Sequence, residues 1–122
     1  MDRAGQTALA AALERMWVQF LPQTEERVAI LETAAQAFAA NRLSIEQHQA
    51  ANAAAHKLAG VLGTFGLTRG TELARELEIM YSRENGPDPA LGPRLASIAA
   101  ELRAIVATRK EARCPKRSHS SS

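Results

Sequence analysis

The sequence predicts an all-α protein, an antiparallel up-down four-helix bundle with an additional short N-terminal helix, and three observations point there. Alanine and leucine dominate and β-branched residues are scarce, in a chain that is 46% hydrophobic and only 4% aromatic. Such a composition favours helices packed closely through small side chains. Apolar residues recur at three- and four-residue steps, with no two-residue alternation to compete for strand. Breakers separate the periodic segments, at Pro22, at Asn41 and in the run NGPDP at 85–89. A length of 122 residues suits one domain.

Leu9, Leu13, Met16, Trp17 and Phe20 form one stripe and predict a first helix that ends before Pro22 and closes one end of the bundle as a short lid. After Thr24, the stretch EERVAILETAAQAFAAN places acidic residues in its first turn and Val28, Leu31, Ala35 and Phe38 on one face. A second helix is therefore expected to about Asn41, with Asn41 and Arg42 as the turn. SIEQ at 44–47 is a capping box: Ser44 accepts from the third helical amide while Gln47 reaches back. It opens a third helix with Ala51, Ala55, Leu58, Leu62 and Phe65 on its core face. The fourth helix is predicted from Leu67 to about Glu84 with Leu73, Leu77 and Met80 inward. The fifth is lined by Leu91, Leu95, Ile98, Leu102, Ile105 and Val106 and reaches about Arg109. The bundle is thus expected over 1–108, followed by a basic, disordered tail over 109–122, with no internal repeat.

Charge is unevenly divided. Residues 1–108 hold 10 Lys/Arg against 12 Asp/Glu, and residues 109–122 hold 5 against 1. A basic tail without interleaved aromatics or a folded groove reads as solvated, so nucleic acid is not an expected partner. The single cysteine, Cys114, excludes an intrachain disulfide framework and a cysteine metal cluster, and it fits a reducing, cytoplasmic setting. The run ALAAAL is too short for a signal-peptide core, and nothing approaches the roughly 18 apolar residues of a membrane span. A soluble monomer is the simplest expectation.

His56 lies roughly 140° around its helix from the centre of the core stripe. The same wheel surrounds it with Gln49, Asn52, Ala53, Ala59, Gly60 and Gly63, none able to overshadow an imidazole. Each glycine inside a helix costs about 0.8–1 kcal/mol relative to alanine, so two glycines one and two turns beyond His56 point to close approach by something external. His48 has no flanking glycines and reads as an ordinary surface residue, and His119 stands in a serine-rich tail. His48 and His56 are eight residues apart with no further clustered ligand, so no metal site is expected.

The string HKLAGVLGTFGL resembles the signature of histidine-containing phosphotransfer (HPt) domains, including those of hybrid and chemotaxis histidine kinases. The match runs through His56, Leu58, Gly60, Gly63, Phe65 and Gly66 and continues to Leu73, Leu77 and Glu78, without a gap. The resemblance implies a four-helix bundle with His56 as an exposed phosphoacceptor in a two-component multistep phosphorelay. It implies exchange of phosphate with receiver-domain aspartates of response regulators, or phosphorylation by a histidine kinase. Gln49, Asn52, Ala53, Ala59, Gly60 and Gly63 become the receiver-docking surface. The family commonly has lysine three residues after the histidine; here that position is Ala59. Lys57, on a long flexible stem, and Arg75, on the next helix, are the candidates to bind the phosphoryl group in its place. Glu78 matches the position of a glutamate that orients the imidazole in chemotaxis kinases.

The chemistry suits the residue. A neutral imidazole keeps a lone pair on one nitrogen to attack phosphorus, while a carboxylate on the other N–H fixes the tautomer and balances the charge that develops. The chain has no P-loop, kinase ATP-lid motif or strand-borne aspartate. It is therefore expected to be a carrier and not an enzyme, needing no cofactor of its own, with Mg²⁺ held in the partner receiver. Two alternatives remain at this level: the phosphoacceptor module of a split histidine kinase, and a scaffold that docks a receiver without exchanging phosphate.

Overall fold

The structure, a computed structural model, describes residues 3–112. Cys114, His119 and most of the basic tail lie outside the described residues. Four α-helices follow in order: α1 (Arg3–Ala39), α2 (Ile45–Thr64), α3 (Thr68–Tyr81) and α4 (Gly92–Ala112), with a 3₁₀ turn at Pro89–Leu91 before the last. No strand occurs among the described residues.

The separate short N-terminal helix is corrected. α1 runs unbroken through Pro22. The reason is burial: Trp17, Leu21, Thr24, Val28, Leu31 and Ala35 form one stripe at alternating four- and three-residue steps across the proline, and all are buried. Proline removes one N–H, the partner of the Val18 carbonyl, and both Pro22 and Val18 are exposed, so water can take its place. Thr24 donates from Oγ1 to the Phe20 carbonyl at 2.9 Å and is fully buried. It is part of the core instead of the start of a helix. Of the proposed lid stripe, only Trp17 is buried; Leu9 and Met16 are exposed.

α1 ends in a Schellman turn, with Asn41 at positive φ and Arg42 N–H donating to the Ala37 carbonyl at 2.7 Å. The Ser44–Gln47 capping box is formed in both directions, each bond 3.0 Å. α2 closes the same way: Leu67 N–H donates to the Leu62 carbonyl at 2.9 Å, and Gly66 takes φ +72, which a side chain would strain. That turn sends α3 back along α2. Gly70 sits where a Cβ would come within 2.8 Å of Leu62 Cδ1, so a glycine lets α3 approach closely. After α3, Asp88 caps the 3₁₀ turn by accepting from Ala90 N–H at 2.9 Å.

α4 continues to Ala112, so residues 109–112 belong to the helix and not to the tail assigned from sequence. Arg109 pairs with Glu14 and lies 5.1 Å over the Trp17 ring, and Lys110 reaches Glu25 at 3.3 Å. These contacts give the last turn partners on α1. α1 packs on α4 and α2, and α3 packs on α2 and α4. The core between them holds the leucines predicted for it: Leu31, Leu58, Leu62, Leu73, Leu77, Leu95 and Leu102 are all buried, with Trp17 edge-on to Phe65 at 5.2 Å.

Candidate functional site

α2 turns Ala51, Ala54, Ala55, Leu58, Ala59 and Leu62 into the bundle, which rotates His56 outward. Its side chain is 72% exposed, and Nδ1 lies 2.7 Å from Oε2 of Glu78 on α3. Backbone register brings the two together. Asn52 donates from Nδ2 to the Glu78 carbonyl at 3.0 Å, and the His48 ring meets the Tyr81 carbonyl one level away. Thr71 Oγ1 approaches the Ala59 carbonyl at 3.5 Å at the other end. These contacts lock α2 against α3 so that the carboxylate of Glu78 meets the ring edge-on. An ionised carboxylate can only accept, so this contact puts the proton on Nδ1 and leaves the lone pair on Nε2.

The surroundings of the ring differ in part from the wheel. Gln49, Ala53, Gly60 and Gly63 are exposed. Ala59 is buried at 3% exposure, because α3 crosses α2 on that flank and covers it, so it is not part of an open docking surface. Asn52 is half-buried and spends its amide on the Glu78 carbonyl. His48, read as ordinary, is half-buried and anchors α2 to the end of α3. A Cβ on Gly60 would meet nothing within 4 Å, and one on Gly63 would make ordinary contact with Thr71 Oγ1 at 3.5 Å. Packing within the fold therefore requires neither glycine.

Lys57 and Arg75 are both exposed. Lys57 borders a groove of about 680 Å³ between α1 and α2, which His56 also lines. Arg75 stands on α3 one turn before Glu78, on the stripe Thr71, Arg75, Glu78. The groove also contains Arg27 of α1, which the sequence reading did not single out. Nothing along the chain connects positions 27 and 56; only the packing of α1 on α2 does. Among the described residues no group of three His, Cys, Asp or Glu side chains could hold a metal ion, and no helix is long and apolar enough to cross a membrane.

Comparison with known proteins bears on this geometry. The sequence model of the Hpt domain matches residues 15–111. Protein RcaC of Microchaete diplosiphon is 33% identical over 92 residues, which cover 75% of this chain and 14% of that protein. The chain thus corresponds to about a seventh of its relative's length. No solved structure gives a significant match.

Proposed function

This chain belongs to the Hpt domain family, and on that premise we propose that it is the histidine phosphocarrier of a two-component phosphorelay, with His56 as phosphoacceptor. Hpt domains transfer phosphate through a histidine and are carriers rather than kinases. The observation that supports His56 is its ring: largely open to solvent, with Nδ1 held by Glu78 and Nε2 left as the nucleophile.

In this reading the Nε2 lone pair attacks the phosphorus of an aspartyl phosphate on a receiver domain. The P–O bond to the aspartate breaks, the carboxylate leaves with its electron pair, and the imidazole becomes cationic with its proton still on Nδ1. Glu78 orients the ring and balances that charge. The return step gives the phosphoryl group to an aspartate of a second receiver. Mg²⁺ and the acidic pocket belong to the receiver, and this chain supplies the nucleophile and its positioning. Gln49, Ala53, Gly60 and Gly63 are the open surface on which the receiver rim would rest, and the two glycines give it clearance. The same reading takes the four helices as an up-down antiparallel bundle. Its support is the order of contacts, in which Glu14, Glu32 and Phe38 of α1 meet Arg109, Arg103 and Gly92 of α4 in reverse sequence.

The test is incubation with a radiolabelled, phosphorylated receiver. The reading predicts acid-labile, base-stable label on the chain that is absent from His56→Gln. Label persisting in His56→Gln would place the site elsewhere. Label arriving only from ATP and a kinase core would assign the chain to a split kinase, and no label from either source would leave a docking scaffold.

A further inference from the structure

Glu78 takes Nδ1 of His56 from the α3 side. The two ring nitrogens bond in widely divergent directions, so Nε2 is turned away from α3. The opposite flank of α2 opens on the groove walled by α1, which His56 lines together with Lys57 and Arg27. We propose that this mouth is the seat of the phosphoryl group, and that Arg27 binds it from across the groove in concert with Lys57. The inference rests on the phosphocarrier reading and names the cations that reading lacks.

Two observations single out Arg27. Arg69, Arg94, Arg103 and Arg109 are each engaged by a glutamate, whereas the Arg27 side chain, like those of the exposed Arg15, Arg42, Arg75 and Arg83, makes no hydrogen bond or ion pair among the described residues. It is also half-buried in a groove whose other lining includes Met16, Phe20 and Phe65. An anion entering there meets a guanidinium from one wall and an ammonium from the other, beside apolar surface that weakens competition from water. Position 59 cannot offer a cation, since it is a buried alanine. Arg75 is on α3, the flank already occupied by Glu78. The charged groups around the ring are therefore Arg27 from α1, Lys57 from α2, and Glu78 and Arg75 from α3; α4 lines no part of the groove.

The experiment loads the full chain with phosphoramidate: its P–N bond breaks, ammonia leaves, and the phosphoryl group passes to Nε2. The pH titration of the phosphoryl group is then followed by ³¹P NMR, and the rate of transfer from a phosphorylated receiver is measured in parallel. Nearby cations favour the phosphoryl dianion and hold its pKa down. Arg27→Gln is expected to raise that pKa by roughly half a unit to one unit and to slow transfer about 5- to 10-fold, with Arg27→Lys restoring most of both. Lys57→Gln shifts the titration in the same direction, and Arg75→Gln leaves it in place. A titration unchanged in Arg27→Gln, or shifted equally by Arg75→Gln, overturns the inference while leaving the carrier reading standing. No phosphoryl group on His56 from either donor overturns both.

Discussion

Water reaches most of the His56–Glu78 contact, so the pair adds little to folding stability, and its value lies in which nitrogen carries the proton. If His56 is the phosphoacceptor as proposed, Glu78→Gln removes the charge that would balance the phosphorylated ring and lets the amide select the wrong tautomer. Transfer to His56 is expected to slow roughly 10- to 100-fold, about 1.4–2.7 kcal/mol in the barrier, with little change in the urea midpoint. Stopped-flow transfer and urea unfolding of one preparation check both halves. Tyr81 is the opposite case, buried with its hydroxyl unpartnered among the described residues and its phenol pushed up to about 12 by burial. Removing that hydroxyl in Tyr81→Phe should leave stability unchanged or raise it by up to about 1 kcal/mol. The sign with pH follows. The unfolded phenol ionises from its ordinary value of 10.0, so stability is flat below that pH and falls between it and about 12. The Phe variant lacks that decline, which urea titrations at pH 9 and about pH 11.5 would resolve.

Among the helices, α1 shows where a local rule loses to packing. Proline in a helix interior costs about 3 kcal/mol, and the buried stripe from Trp17 to Ala35 outweighs it. Pro22→Ala should therefore stabilise the protein, by about 1–3 kcal/mol in urea unfolding, whereas a chain truly broken at that point would gain little. Gly60→Ala separates fold from function. With nothing within 4 Å of the added Cβ, it should gain roughly 0.8–1 kcal/mol of helix stability and yet slow transfer from the receiver, because the methyl stands on the proposed docking face. Faster or unchanged transfer in that variant would remove the clearance argument for the glycine. The sequence made α2 legible because everything needed is local: the capping box, the alanine–leucine stripe and the angular offset of His56 all lie within 20 residues. The continuity of α1, the burial of Ala59 and the placement of Arg27 beside His56 were not legible. Each depends on a neighbouring helix whose position no local period records. The break expected at Pro22 and Thr24 failed for a related reason: proline ends a helix by local rule, and only the folded chain shows the Thr24 hydroxyl buried and bonded back to the Phe20 carbonyl.

At the scale of the whole molecule, ion pairs tie the helices across their exposed seams: Glu32 to Arg103 between α1 and α4, and Glu76 to Arg94 and Glu101 to Arg69 between α3 and α4. The partner guanidinium, above all through its hydrogen bonds, holds each of these carboxyls below the ordinary value of 4.5. Their folded pKa values are depressed, so the stability they contribute is present above 4.5 and is lost as pH falls through the lower folded values. Unfolding in urea should therefore require less denaturant near pH 3 than at pH 7, with added salt narrowing the difference because the pairs are partly open to water. In the proposed carrier this architecture would present one ring nitrogen of His56 beside an open surface. The measurement that bears most directly on that claim is phosphorus–nitrogen coupling in the phosphorylated chain with ¹⁵N-labelled histidine. The account predicts coupling of the phosphorus to Nε2 of His56, with Nδ1 still protonated and facing Glu78. Coupling to Nδ1, or to either of the other histidines, would contradict it.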